Sequence, residues 1–177
     1  TVLAQGAHER PLVFSGNDLP GVMLAGAVRT YINRYGVVPG NRTVVFTNND
    51  DAYRTVLALH GAGAHVVVVD LRRDLRGELI KAVRDAGINV MSGHAVSIAA
   101  GTQRIARVEI APVNEDGSAL LDDPIHMDCD LLAMSGGLSP AVHLHSQARG
   151  KLGWDERLLC FKPTTTHEAS VNAGAGN

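Results

Sequence analysis

The stretch that decides the fold runs from Arg42 to Asp70 and reads RTVVFTNNDDAYRTVLALHGAGAHVVVVD. Its first residues, Arg42–Phe46, are β-branched and aromatic, which predicts a buried strand. A helical segment follows and is closed by two glycines. The run Ala64–Val69 then predicts a second buried strand that ends at Asp70. A strand, a helix and a strand in this order predict one βαβ unit of a parallel sheet.

The turn after the first strand lacks the glycines of a dinucleotide-binding site. Three glycines in such a turn let backbone N–H groups approach a pyrophosphate. Here the corresponding positions hold Thr47, Asn49 and Ala52. Asp50 and Asp51 add negative charge at the helix N-terminus, where the helix dipole would otherwise attract an anion. We therefore predict that the turn binds no nucleotide and that Asp50 caps its own helix.

Composition limits the classes of protein to which the chain can belong. It has 177 residues, of which 45% are hydrophobic, and a net charge of -2. The charge argues against nucleic acid and anionic membranes as partners. No apolar run approaches the ~20 residues that cross a bilayer. Cys129 and Cys160 are too few for a disulfide framework, so we predict buried core thiols and a cytoplasmic protein.

The remaining periodicity extends the α/β pattern. Leu24, Val28, Tyr31 and Tyr35 predict an amphipathic helix. A third helix and a short strand follow before residue 92, and a period of two over 94–121 predicts hairpin strands. The further elements predicted are a buried strand over 129–133, a short helix over 140–147 and a last strand over 158–161. The predicted fold class is α/β: a Rossmann-like parallel sheet with a small antiparallel β excursion.

The two ends of the chain read as interior sequence. Thr1-Val-Leu-Ala4 is already an apolar, strand-like run, and Ala173-Gly-Ala-Gly-Asn177 resembles the start of a turn. Natural termini are usually polar and frayed. We therefore expect an excised piece of a longer polypeptide.

Several motifs make the fold class more specific. The residues that carry the resemblance are Ala4-Gln-Gly-Ala7, the string GAHERPLVFSG over 6–16, Leu19-Pro-Gly-Val-Met23, Thr47-Asn-Asn-Asp-Asp51, and Ser135-Gly-Gly137 with Pro140 and His143. Together they resemble the α subunits of heterotetrameric sarcosine oxidases, over the whole chain. Related α subunits of opine oxidases, proline dehydrogenases and cyanide synthases share the Gly-Ala and Pro-Gly-Val-Met elements.

The resemblance implies an activity to which the chain contributes without catalysing it. Such enzymes demethylate sarcosine oxidatively to glycine, with hydride passing to a flavin on the β subunit. Electrons then reach a second flavin and oxygen, so FAD and FMN belong to the assembled enzyme, together with small subunits. The folate site lies outside this chain. The α subunit resembles disulfide-reductase-like proteins and carries an NAD, so this chain is expected to be an oxidoreductase fragment that is inactive in isolation.

The resemblance also implies a domain division and a cofactor site. Residues 1–24 and 140–177 would be partial pieces of a first FAD/NAD-type Rossmann domain, and residues 25–139 a second, pyridine-nucleotide-type domain with a degenerate glycine fingerprint. The NAD contacts left to this chain would be Gly6 and Ala7 at the first crossover, and Gly174 and Ala175 where the chain returns. Small residues there let the backbone pass close to a dinucleotide. Gln5 departs from the family, in which Thr is usual.

Other reactive residues favour structural roles. His143 and His145 are two apart, which does not place both on one helix face, so we predict no metal site. Asp70 stands where a ribose-binding acid belongs, but without the glycines it is interpreted as a residue that caps the following turn. Asp122-Asp123 and His126-Met-Asp128 are predicted to lie in a surface loop. No spacing indicates a catalytic residue.

Three functions remain open from the sequence. The favoured one is a structural, NAD-site-completing segment of an oxidoreductase subunit. The second is an active NAD(P)-dependent flavoprotein reductase that uses the 43–70 unit. The third is an interaction module that presents the 94–122 strands to partner subunits.

Overall fold

A computed structural model describes residues 1–176, which contain fourteen strands, four α-helices and one 3-10 turn. The strands are β1 (Val2–Leu3), β2 (Ala7–Glu9), β3 (Val22–Leu24), β4 (Arg42–Thr47), β5 (His65–Asp70), β6 (Asn89–Ser92), β7 (His94–Ala100), β8 (Arg107–Pro112), β9 (Ile125–Asp128), β10 (Leu131–Ser135), β11 (Leu138–Pro140), β12 (Leu152–Asp155), β13 (Cys160–Pro163) and β14 (Val171–Asn172). The helices are α1 (Ala25–Tyr35), α2 (Ala52–Gly61), α3 (Glu78–Asp85) and α4 (His143–Gln147), and the 3-10 turn is Gly174–Gly176.

The chain divides into two compact units. One, called here the parallel-sheet unit, is Pro11–Gly137. The other, called the crossover unit, combines Thr1–Arg10 with the segment from Leu138 onward. The assignment of 1–24 and 140–177 to a first Rossmann domain stays a prediction.

The parallel-sheet unit is built on five parallel strands in the order β3-β10-β4-β5-β6. One face packs against the helices through a core that includes Val45 and Val68, and the other against a second layer through Val44, Phe46 and Val69. Successive side chains of a strand point to opposite faces, so a strand covered on both sides needs an unbroken apolar run. The α/β prediction is confirmed.

The second layer is the antiparallel excursion, a three-stranded sheet in the order β7-β8-β9. The predicted hairpin is present, and a turn near Asp116 joins its continuation beyond β8. The predicted loop is wrong for His126-Met-Asp128, which belong to β9. This four-residue strand lies at the sheet edge and is largely exposed, and its ladder with β8 holds it.

Helix α1 lies where the sequence predicts it and ends at Gly36, whose φ of 65° is left-handed. Its buried face differs from the predicted one, because Ala25 and Val28 are buried while Tyr31 and Tyr35 are exposed. When a helix carries more than one apolar stripe, the stripe whose smaller side chains fit against the sheet faces the core.

The crossover unit contains small two-stranded ladders. β1 pairs in parallel with β14, β2 pairs with β11, and β12 pairs with β13. The helix predicted from Pro140 begins instead at His143, since Pro140 ends β11 and pairs with Ala7. A residue before proline favours extended backbone, which explains the strand. The last predicted strand is displaced to Cys160–Pro163.

Candidate functional site

The five-stranded sheet has a point at which open α/β sheets bind ligands. From β4 the chain continues to β5 and β6 on one side, while β10 lies on the other. Ligands of such sheets enter the crevice between the carboxyl ends of the strands on either side of this change in direction. Here those ends are Thr47 and Ser135, which face each other in register. The turn that follows Thr47 is the one that lacks glycines.

Asn49 closes this crevice with its side chain. Its Nδ2 donates to the Ser135 carbonyl at 3.1 Å and to the Ser135 Oγ at 3.0 Å. Its backbone N–H donates to the Thr47 Oγ1, and its Oδ1 accepts the Asp51 N–H at 3.1 Å. The N–H groups of Asn49 and Asp51 are thus bonded within the turn. That no nucleotide binds here stays a prediction.

The two carboxylates after Asn49 bind arginines. Asp51 pairs with Arg29 at 3.0 Å and with Arg54 at 3.3 Å, while Asp50 pairs with Arg72 at 2.7 Å. The prediction that Asp50 caps the helix is wrong, because the residue before α2 is Asp51 and no side chain caps the helix. The Asp50 carboxylate instead accepts a charge-assisted hydrogen bond from Arg72.

Asp70 ends β5 as a fully buried carboxylate with several donors. Its Oδ1 accepts the Arg72 N–H at 2.9 Å, so the predicted cap of the following turn is confirmed. Its Oδ2 accepts from the Tyr53 hydroxyl and from Arg72 Nη2, both at 2.9 Å. A ribose hydroxyl at this carboxylate would have to displace one of these donors.

The same contacts set the charge states around Asp70. Burial, and then the Asp70 carboxylate, raise the pKa of Tyr53 above its usual value, so this hydroxyl stays protonated. Burial lowers the pKa of Arg72, but hydrogen bonds to Asp70 and Asp50 outweigh it and hold the pKa above its usual value. One guanidinium therefore spans the buried Asp70 and the exposed Asp50, and the sequence interpretation missed it. An Asp-x-Arg spacing directly after a strand, beside an acidic turn, is the signal that could have found it.

Two further arginines follow β5, where an NADP-binding domain places an arginine for the 2′-phosphate. Arg73 donates to the Val113 carbonyl, and Arg76 pairs with Asp74 at 2.7 Å. Together with Arg72, these side chains are all engaged within the chain. The pairs of Arg72 with Asp70 and Asp50 form an internal ion network at this edge of the sheet, whereas the Arg76–Asp74 pair is exposed.

A groove of about 450 Å³ lies at the opposite edge of the same sheet. It is lined at the amino ends of β4, β5 and β6, by residues that include Arg42, His65 and Asn89. Open α/β sheets bind their ligands at the carboxyl ends of the strands, so this groove lies away from the expected position.

In the crossover unit, Gly6 and Ala7 at the start of β2 lie beside the 3-10 turn that contains Gly174 and Ala175. Strands β1 and β14 run side by side and lead into Gly6 and Gly174, with φ of 75° and 68°. A Cβ added at either glycine would meet no atom within 4 Å, so the space directly beside both is open. Ala7 pairs with Pro140, and Ala175 is exposed in the 3-10 turn. A Cβ on Gly176 would lie 3.4 Å from the Gly6 carbonyl oxygen, so the two turns adjoin.

The two cysteines are buried, and the side chains that could bind a metal do not converge in the part of the chain that the structure describes. Both cysteines are free and buried. Burial, followed by the nearby Asp130, raises the pKa of the Cys129 thiol to about 11, so it is a poor nucleophile at neutral pH. Within residues 1–176 no three His, Cys, Asp or Glu side chains converge as metal ligands. Over the same residues no helix is both long and apolar enough to cross a membrane.

Relatives of known name show which proteins this chain resembles in sequence. It is 44% identical over 176 residues to sarcosine oxidase subunit alpha of Corynebacterium sp. (strain P-1), over 98% of this chain and 18% of that subunit. The same subunit of Rhizobium meliloti (strain 1021) is 39% identical over 180 residues, which is 98% of this chain and 16% of the relative. The chain is homologous to a segment of sarcosine oxidase subunit alpha. It spans less than a fifth of the length of these relatives.

Solved structures agree with the fold. A thioredoxin reductase of T. acidophilum superposes with a TM-score of 0.73 at 13% identity, over 98% of this chain and 56% of that one. L-proline dehydrogenase of P. horikoshii gives 0.62 at 21% identity, over 99% and 29%. These structures have FAD/NAD Rossmann-type folds, so the predicted architecture is confirmed. No model of a protein family matches the chain.

Proposed function

We propose that this chain is a structural, NAD-site-completing segment of the α subunit of a sarcosine oxidase. The observation that carries the proposal is 44% identity to such a subunit over 98% of the chain. In the proposed enzyme, sarcosine is oxidatively demethylated to glycine at the flavin of a partner β subunit. Small subunits complete the hetero-oligomer in the cytoplasm, and the folate site lies outside this chain.

The closed sheet edge supports a role outside catalysis for the parallel-sheet unit. Asn49 seals the crevice at the switch point, and Arg72 occupies Asp70 and Asp50. Hydride transfer requires a cofactor, because protein side chains only position one. In our proposal FAD and FMN belong to the assembled enzyme, so the chain alone is inactive.

The crossover unit fits a dinucleotide better. The open space beside Gly6 and Gly174 would let a pyrophosphate approach the backbone, as glycines do in dinucleotide-binding turns. Ala7 and Ala175 are the small residues that follow these glycines. We propose that the four residues close over an NAD whose other contacts come from the rest of the subunit.

The test is a charge placed on the return turn of the full-length α subunit. Ala175→Asp adds a carboxylate at an exposed position, and Ala169→Asp makes the same change at another exposed alanine outside the turn. We expect Ala175→Asp to weaken NAD binding at least tenfold in calorimetry and Ala169→Asp to leave it unchanged. Equal affinities of the two variants would overturn the assignment of the turn.

The runner-up functions have weaker support. One of the opine oxidase subunits of Agrobacterium tumefaciens (strain Ach5) is 24% identical over 179 residues, so a related opine or proline dehydrogenase is the second candidate. Sarcosine and octopine can be compared as reductants of the assembled enzyme. A reductase that uses the 43–70 unit requires a nucleotide at the edge filled by Asn49 and Arg72.

A further inference from the structure

His145 is a buried polar side chain between two segments of the crossover unit. Its side chain is 1% exposed in α4. Its Nε2 lies 3.0 Å from the Lys151 carbonyl oxygen, and its Nδ1 lies 3.0 Å from Asn172 Nδ2. A carbonyl only accepts and an amide nitrogen only donates, so Nε2 carries the proton and Nδ1 is the acceptor. The ring thus joins Lys151 to Asn172.

The neighbouring backbone leaves room for this ring. A Cβ at Gly150 would lie 2.2 Å from the His145 Nε2 and 2.5 Å from two ring carbons, so no side chain fits there while the ring is present. The Gly150 N–H donates to the His145 carbonyl at 2.9 Å. The site is therefore built around an imidazole in one orientation.

Helix α4 connects this ring to both proposed cofactor turns. On the return side, Asn172 ends β14, two residues before Gly174. On the outgoing side, the Gln5 side chain accepts the Leu144 N–H at 3.1 Å, and the Gly6 carbonyl accepts the Ala141 N–H at 3.0 Å. The positions of the Gly6 and Gly174 turns therefore depend on contacts with α4 and with the residues just before this helix.

We propose that His145 is a positioning residue for the dinucleotide turns and acts through Asn172. The inference rests on the proposed function, since it names what holds the Gly174–Ala175 turn against Gly6. A ring that donates on one side and accepts on the other fixes the direction of the Asn172 carboxamide, which an apolar side chain of the same size cannot do. Misplacing a binding turn by a fraction of an ångström weakens every contact that it makes.

The test compares two substitutions of His145 in the full-length α subunit. His145→Gln supplies an amide that can donate to Lys151 and accept from Asn172, whereas His145→Leu has neither group. We expect His145→Leu to weaken NAD binding at least tenfold and His145→Gln to stay within about threefold of the wild type. Thermal melting without NAD is recorded in parallel, because a purely structural residue would lower the melting temperature and leave the affinity of the folded protein unchanged.

A second substitution decides the question if His145→Leu does not fold. Asn172→Leu removes the same hydrogen bond from the β14 side and should weaken NAD binding as much. Wild-type affinity in His145→Leu or Asn172→Leu, or an equal loss in His145→Gln and His145→Leu, would overturn the positioning role. If Ala175→Asp still abolishes binding, the proposed function stands without it, whereas a wild-type subunit that binds no NAD overturns both.

Discussion

The two units differ in the residues that follow the ends of their parallel strands. In the parallel-sheet unit, the residues after β4 and β5 carry polar side chains that bond to one another, with Asn49 on Ser135 and Arg72 on Asp70. In the crossover unit, β1 and β14 lead into glycines with open space beside them. Strand direction alone therefore does not make a nucleotide site; the side chains of the following turn decide whether the backbone is accessible.

The largest expected loss of stability comes from removing Asp70, the buried carboxylate that pairs with Arg72. Asp70→Ala leaves the Tyr53 hydroxyl and Arg72 without their shared acceptor, so we expect a loss of roughly 3 kcal/mol in the free energy of unfolding. This is the low end for a buried pair, because the Arg72 side chain is one-third exposed. Urea titration of the 177-residue chain measures the change.

Asp50→Ala is the matched control, since it removes the exposed end of the same bridge. An exposed pair contributes about 0–1 kcal/mol, so this variant should differ little from the wild type. Equal losses of unfolding free energy in Asp70→Ala and Asp50→Ala would contradict the conclusion that the internal ion network closes this edge of the sheet.

The second effect compares one cysteine from each unit. With a pKa of about 11, the Cys129 thiol should react with iodoacetamide at pH 8 about a hundredfold more slowly than in the unfolded chain. Cys160 lies in the two-stranded β12–β13 ladder, which opens more easily than the packed core of the parallel-sheet unit that contains Cys129, so Cys160 should react faster than Cys129. Mass spectrometry of both cysteine peptides over time gives the two rates, and equal rates would contradict a difference in stability between the units.

The raised pKa of Cys129 also predicts how stability depends on pH. The folded state holds this proton more tightly than the unfolded state, whose thiol titrates near ~8.5. The contribution of the protonated Cys129 thiol to the free energy of unfolding is complete below that pH, and it is lost as the pH rises towards about 11. In the Cys129→Ala variant, this part of the decrease of the urea midpoint at alkaline pH should be absent.

The smallest effect concerns the closed crevice itself. Asn49→Ala removes the bonds to Ser135, so we expect a loss of about 1–2 kcal/mol in unfolding free energy. It should not create a nucleotide site, because the carboxylates of Asp50 and Asp51 remain at the helix N-terminus. Calorimetry with millimolar NAD should show little heat for both the wild-type chain and the variant. A low-micromolar Kd that depends on residues 47–52 would favour the reductase alternative.

The sequence predicted the parallel-sheet unit better than the crossover unit. Unbroken apolar runs such as Val66–Val69 occur where a strand is covered on both faces, so pattern and burial agree. In the crossover unit, β11 and β12 are short, and partner strands hold them without a repeating pattern. The exposed edge strand β9 is the comparable case in the parallel-sheet unit. The existence or limits of these strands could not be predicted, because a ladder of backbone bonds carries no side-chain signature.

The sequence by itself determined the α/β architecture, the absence of glycines at 47 and 49, and the resemblance to sarcosine oxidase α subunits. Each depends on local order: periodicity, residue type and motif strings. Only the tertiary structure decided that Asn49 seals the crevice, that Arg72 joins Asp50 to Asp70, and that His145 holds Asn172. Apart from the local Arg72–Asp70 contact, these contacts join residues 22 to 86 positions apart. Side-chain geometry at such separations is fixed by packing of the strands and helices that carry the residues.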